Sequence, residues 1–323
     1  MAQELILLSE NEEDQEFARA AATSAELGFR VCNLREVCAT LETGGTTAVL
    51  VDGSTPKKYM EFEKALADSV GLFSDKIQSN TLHFISAQDL EHCSYMVRSP
   101  LFGNFIYRRY NEPHSDGIRY GRFLKASMGE KAWGLTRYFP EGVKIQNIPL
   151  SKSTQKIEVV EAVKSYLVKA KFQSRMAITI SNAVDELVMN AIFTAPVDPF
   201  GKPLYETQSR DLVFDLHGKS AVNCSICFDG EVLGFSATDL YGSLDKEKLL
   251  QHLSKVYTKE EYRVRTSVAG AGIGLATVFR SGGSLLFMSE SSSRTDVSVF
   301  FRHFPSYRAF KDQFRFVSTQ FYF

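Results

Sequence analysis

The stretch Asp185-Glu186-Leu187-Val188-Met189-Asn190-Ala191 sets a carboxylate and a carboxamide four residues apart. On a helix, Glu186 and Asn190 then leave the same face one turn from each other. That pair suits a magnesium-bound phosphate. Glu186 could order or deprotonate a nucleophile, and the neutral Asn190 oxygen could enter the shell of a hard cation without adding charge beside the phosphates. About eighty residues on, Gly270-Ala271-Gly272-Ile273-Gly274-Leu275 places three glycines at alternate positions ahead of an apolar run, 275–279, that reads as a helix start. Its backbone amides would face an anion. Taken alone, Glu186 and Asn190 read more often as a solvated helix face, but an asparagine in mid-helix is disfavoured by propensity and asks for a reason.

The elements that must position these groups follow from the pattern around them. A helix over 177–193 has apolar residues at Ile180, Val184, Leu187, Val188 and Ala191 on one face, which leaves Glu186 and Asn190 on a neighbouring one. Ala195-Pro196 through Gly201 must break it. Strands are expected at 212–216, 221–228 and 232–238, with Asp229-Gly230 as the turn between the last two. The third ends at Asp239, followed by Gly242. Residues 243–269 would form a lid with a helix over 245–257 and cations at Lys255, Lys259, Arg263 and Arg265. Strands at 284–289 and 297–301, with Thr295 before the second, would close the sheet. One further helix, 157–171, precedes all of these.

Glu186 to Asn190, Asp239-Leu240-Tyr241-Gly242 and Gly270 to Gly274, in that order, resemble the nucleotide site of the GHKL ATPases, the superfamily of histidine kinases, gyrases and their relatives. The resemblance covers roughly residues 130 to 304 and rests on three blocks in sequence. It implies an α/β sandwich, a mixed sheet with helices on one face, that binds ATP and magnesium. In this likeness Asn190 holds magnesium, Glu186 acts as base or orients a hydroxyl, Asp239 accepts a hydrogen bond from adenine, and Gly242, Gly270, Gly272, Gly274 and Thr295 complete the cofactor site. The usual Asp-x-Gly-x-Gly pattern is altered, with Tyr241 and Ser243 at the two glycine positions. A sensor kinase of this family needs a histidine on a helix before Glu186, and residues 115–216 contain none. The short approach to the Glu186 block looks more like the anti-sigma serine kinase branch, which phosphorylates a serine on a small antagonist protein or sequesters a sigma factor.

Residues 1 to about 125 alternate apolar runs, 5–8, 29–34, 48–51, 82–85 and 105–107, with amphipathic segments at 12–27, 60–70 and 88–98, a pattern that predicts a doubly wound parallel sheet. A turn-rich break at 111–117 and a last helix over 118–127 would follow. Ligands in such sheets gather at the C-terminal strand ends, and there stand Ser9 and Glu10, Asp52 with Pro56 four residues later, Ser86, and Arg108. This set resembles a two-component receiver, with Asp52 as phosphoacceptor, Ser9 replacing one member of the acidic pair that holds magnesium and Glu10 left alone unless Glu12 or Glu13 substitutes, Ser86 as the switch hydroxyl and Arg108 in place of the pairing lysine. An alternative is a receiver-shaped scaffold in which Arg108 simply pairs with Asp52. The expected domains are 1–128, 129–305 and an aromatic tail, 306–323.

Composition bounds the remainder. The 323 residues are 44% hydrophobic and 23% charged, with a formal net charge of -1, which is globular and gives no positive field for nucleic acid. No membrane span and no basic leader are apparent, so a cytoplasmic protein is expected. The five cysteines are scattered, and Cys224-Ser225-Ile226-Cys227 would put its sulfurs on opposite faces of a strand, which favours buried thiols over a metal or redox pair. The functional expectation is a bacterial signalling protein in which a receiver-like domain regulates an ATP-binding module. That module would be a serine kinase, a weak ATPase or an anti-sigma-type regulator of a partner protein, and a homodimer is compatible with it. The alternative is a non-catalytic interaction scaffold whose nucleotide pocket is degenerate or serves as a latch.

Overall fold

A computed structural model describes residues 3–43, 48–70, 78–128, 133–205, 208–257 and 273–322. The chain divides into two compact units, Met1–Ala132 with Phe314–Ser318, and Trp133–Gln313 with Thr319–Phe323.

In the first unit the elements are β1 (Glu4–Leu8), α1 (Glu12–Ala25), β2 (Gly28–Val31), α2 (Leu34–Thr43), β3 (Ala48–Asp52), α3 (Pro56–Val70), β4 (Leu82–Ser86), α4 (Ser94–Val97), β5 (Asn104–Tyr107) and α5 (Pro113–Ser127). The five strands pair in parallel in the order β2-β1-β3-β4-β5, which is a doubly wound arrangement. Every residue of β3 and β4 is buried, as strands covered by helices on both faces must be. α1 starts at Asn11, whose side chain accepts from the Asp14 N–H, and its first turn carries Glu12, Glu13 and Asp14 against the helix dipole. α1 and α5 pack so closely that a Cβ at Gly117 or Gly121 would meet the Phe17 or Ala21 carbonyl at 2.3 Å.

Several elements differ from the sequence expectation. α2 lies where no helix was anticipated. The 88–98 segment is a single 3-10 turn, Leu90–His92, followed by the short α4. The expected break at 111–117 is instead the first turn of α5, with Pro113 opening the helix, where its missing N–H costs nothing.

The second unit contains β6 (Gln146–Leu150), α6 (Lys156–Lys169), α7 (Ser174–Met189), β7 (Val222–Phe228), β8 (Val232–Asp239), α8 (Lys246–Tyr257), α9 (Ile273–Arg280), β9 (Ser284–Glu290), β10 (Arg294–Arg302) and α10 (Tyr307–Lys311). Its strands run β9-β10-β8-β7-β6 with antiparallel pairing throughout. The chain is therefore α/β, parallel in one unit and antiparallel across these five strands of the other. The β7–β8 turn is held by Asp229, whose Oδ1 accepts from the N–H of Glu231 and of Val232, while Gly230 takes φ +100. No strand forms over 212–216; Asp215 makes an isolated bridge to Lys152, and the Ser153 hydroxyl ties the Leu212 carbonyl and the Phe214 N–H instead.

The residues read as an aromatic tail form α10 and β11 (Arg315–Tyr322), and Arg315–Ser318 pair antiparallel with β5. Among the described residues, Ser174–Thr194 is the one helical stretch long and apolar enough to cross a membrane, and most of it is buried in its own unit. The five cysteines are buried and unbridged.

Candidate functional site

α7 buries Ile180, Val184, Leu187 and Val188 and leaves Glu186 half-buried beside them. At its end the backbone opens into a π turn, Asn190–Thr194, a rare conformation that re-aims side chains and recurs at functional sites. The Thr194 hydroxyl donates to Asn190 Oδ1 at 3.3 Å, and the Ala195 N–H closes the turn on the Asn190 carbonyl at 2.8 Å. Asn190 thereby becomes part of the wall of a cavity of about 380 Å³, together with Asp239 from β8, Gly274 from α9 and Thr295 from β10.

Asp239 and Thr295 stand directly opposite each other in the β8–β10 ladder. Burial pushes the Asp239 carboxyl up to about 6, against the opposing pull of the Tyr241 and Gly242 N–H groups and the Thr295 hydroxyl. Thr295 Oγ1 is itself buried without a hydrogen bond of normal length. Glu186 is likewise pushed above the usual carboxylate range, by burial first, with Arg210 opposing and Asp185 adding to the shift. Its Oε2 is buried without a hydrogen-bond partner, and a Cβ placed on Gly274 would lie 2.0 Å from it. Asp239, the Thr295 hydroxyl and the Asn190 amide line the cavity, and Glu186 lies against Gly274 without lining it; such a set can take a ligand rich in donors at one end and bind a cation–anion pair at the other.

The altered glycine positions do not close this cavity. Tyr241 points its hydroxyl at Ser220 (3.1 Å), and its ring is covered by Lys219. The Ser243 hydroxyl donates to the Ala195 carbonyl at 2.7 Å and fastens the end of the π turn. Gly242 has φ +58, and a Cβ there would meet the Glu290 carbonyl at 2.0 Å, so only glycine lets this turn lie on the β9–β10 connection. Gly270, Gly272, Lys259, Arg263 and Arg265 lie outside the described residues, as does the side chain of Lys255.

The sequence did not point to the far wall, where Val197, Pro203, Tyr205 and Arg210 line the same cavity. Tyr205 stacks on Phe214 (4.5 Å between centroids), which sits edge-on to Phe193. A cluster of aromatics between 193 and 214 is the signal that could have marked it. Among the described residues no group of three or more His, Cys, Asp and Glu could hold a metal ion.

In the first unit, Asp52 ends β3 nearly buried. Burial opposes its charge, but Lys58 Nζ at 2.5 Å, the Ser54 hydroxyl and Arg108 hold it below the usual carboxylate range. Arg108 does more than pair with Asp52 at 3.0 Å. Its Nε and Nη2 also clamp Asp14 at 2.8 and 2.5 Å, and Asp14 further accepts from Ser9 and Tyr110. Glu10 is exposed at the surface, and the inward acid is Asp14, in the first turn of α1. Four acids follow β1 in close succession, and only the phase of the helix selects this one. Ser86 is buried, accepts from the Gln88 N–H and faces Cys93 Sγ at 3.4 Å.

No protein-family model matches the chain, and no curated protein does. Among solved structures, a chain of the SiaB–SiaC complex from Pseudomonas aeruginosa is similar over 49% of this chain and 89% of its own, at 18% identity and a TM-score of 0.31.

Proposed function

We propose that the second unit is a GHKL-type module that binds ATP with magnesium, and that the chain is a bacterial signalling protein in which this module acts on a protein partner. The observation that carries the reading is the meeting of Asn190, Asp239, Gly274 and Thr295, from four separate elements, around one cavity, with the unpartnered Glu186 oxygen seated on Gly274. Asp239 and Thr295 would take the adenine end, where a buried carboxylate with further acceptor capacity beyond the Tyr241 and Gly242 N–H groups could accept from an exocyclic amino group. Asn190, on the cavity wall, would hold the magnesium ion, which would supply positive charge against the phosphates. The bound nucleotide would supply its terminal phosphoryl group and leave as the diphosphate. Glu186, its proton affinity raised by burial, would orient a serine hydroxyl of the partner and take up its proton.

The receiver-like reading of the first unit is supported by its strand order and by Asp52 at the end of β3. A second reading, a non-catalytic scaffold, is favoured by one observation: Arg108 and Lys58 already neutralise Asp52. Calorimetric titration with ATP and with GTP, each with and without magnesium, tests the module. Saturable, adenine-selective, magnesium-dependent binding is expected, and absence of binding at millimolar ATP would overturn it. Transfer of the terminal phosphate of labelled ATP to a copurifying protein then separates a kinase from a scaffold.

A further inference from the structure

The strand pair that carries Asp239 and Thr295 holds another buried carboxylate on its opposite face. Side chains alternate along a strand, so Asp296 and its cross-strand neighbour Thr238 point away from the cavity that Thr295 and Asp239 line. Asp296 is 1% exposed. It accepts from the Thr238 hydroxyl at 2.7 Å, from the Ser298 hydroxyl at 2.9 Å and from the backbone N–H of Gly134. Arg294 stands 3.9 Å away, its guanidinium lying over the ring of Trp133 at 4.8 Å.

Trp133 and Gly134 begin the segment by which the chain passes into the second unit, and this segment is strapped across the back of the sheet. Leu135 and Phe139 are buried against Cys227, and a Cβ on Gly234 would come within 2.6 Å of the Phe139 ring. The strap therefore lies on β8 itself, and its polar fastening is to the residues adjacent to the cavity wall.

We propose that Asp296 is a positioning residue that couples occupancy of the cavity to the seating of residues 133–139. The inference rests on the nucleotide reading above. Thr238–Asp239 and Thr295–Asp296 are consecutive residues on paired strands, so a ligand that draws Asp239 and Thr295 together moves Thr238 and Asp296 by the same backbone. A carboxylate buried this deeply is stable only with its donors in place, and one of those donors is on the strap. The strap must follow the strands or leave Asp296 short of a hydrogen bond. By reciprocity, a strap that is cut loose weakens ligand binding by the factor with which the ligand tightens the strap.

The chain has one tryptophan, Trp133, and it sits under Arg294 in this cluster. Intrinsic emission therefore reads the strap while calorimetry reads the cavity. With the full chain and magnesium-ATP, Trp133 emission should change saturably at the calorimetric midpoint. Asp296→Asn should lose most of that change and bind ATP about fivefold or more weakly. Thr238→Val, which removes one of the three hydrogen bonds at nearly equal volume, is read in the same way should Asp296→Asn fail to fold. Binding seen by calorimetry with constant emission, or a variant with undiminished affinity and emission change, overturns the coupling. If calorimetry shows no ATP binding, the nucleotide reading fails separately, and Asp239→Asn in the unliganded protein decides the coupling. A shifted Trp133 emission upholds it, and an unchanged one refutes it.

Discussion

The Glu186 carboxylate rests directly on the backbone of Gly274, so closely that a methyl group at 274 would come within 2.0 Å of Oε2 and 2.8 Å of Cδ. The atoms that would have to yield are the far end of a flexible side chain and not backbone. Gly274→Ala should therefore leave stability within about 1 kcal/mol of the parent, since the gain in helix propensity offsets the displacement. Its effect should fall on nucleotide binding and phosphoryl transfer, read by calorimetry and labelled ATP beside a thermal melt. Unchanged binding and transfer would mean that the contact has no functional part.

Asn190 contributes a hydrogen bond of only 3.3 Å to its own turn, from Thr194, so its removal should cost the fold little. Asn190→Ala is expected to lower magnesium-dependent ATP affinity at least about tenfold, or ~1.4 kcal/mol, with the melting temperature preserved. An affinity equal to that of the parent protein would remove Asn190 from the site.

Asp239 should trade stability for binding. Its carboxyl is raised to about 6 in the folded chain by burial, so the fold takes up a proton that the unfolded chain releases near its ordinary value. The sign follows from that difference: the unliganded protein loses stability as pH rises from about 4 through about 6, and the full penalty stands at pH 7. Asp239→Asn should stabilise the unliganded protein at pH 7 by roughly 1–3 kcal/mol, flatten the loss over that pH window, and abolish discrimination of ATP from GTP. Denaturant titrations at pH 4 and pH 7 provide the comparison, and a variant less stable than the parent at pH 7 would contradict it.

Arg108 holds together two carboxylates that have almost no access to water. Replacing it with alanine leaves Asp14 and Asp52 facing each other without the guanidinium, which should cost about 3–5 kcal/mol. Arg108→Lys keeps the charge but cannot clamp Asp14 with two nitrogens, and should recover only part of the loss. Guanidinium unfolding of the two variants tests the order.

The parts of the fold that local pattern specifies were readable. Alternating apolar runs outlined β1, β3 and β4, the apolar face of α7 placed Glu186 and Asn190 one turn apart, and Asp229-Gly230 marked the β7–β8 hairpin. What depends on long-range register was not. Nothing local says that Thr295 lies opposite Asp239, or that Asp14, among Glu10, Glu12 and Glu13, is the acid that turns inward. The π turn after Met189 has no local mark in the sequence, and the Ser243 hydroxyl that holds the Ala195 carbonyl at its end comes from another element. α2 is hidden because Leu34 continues the apolar run of the strand before it, and β11 because its Phe and Tyr residues near the terminus read equally as a tail. Phe316, Val317 and Ser318 are instead all buried in a strand paired with β5.

The allocation of Phe314–Ser318 to the first unit also sets the order in which the protein can be completed on the ribosome. Phe314 packs on Phe17 (5.4 Å between centroids), and Phe316 packs on Tyr120 and Phe123 (5.4 and 4.3 Å). About 180 residues separate Ala132 from Phe314, and at ~5–20 residues per second their synthesis takes roughly ten to forty seconds. During that interval the unit synthesised first waits with Phe17, Tyr120 and Phe123 lacking these partners, an apolar patch that a chaperone or a neighbouring nascent chain would meet first.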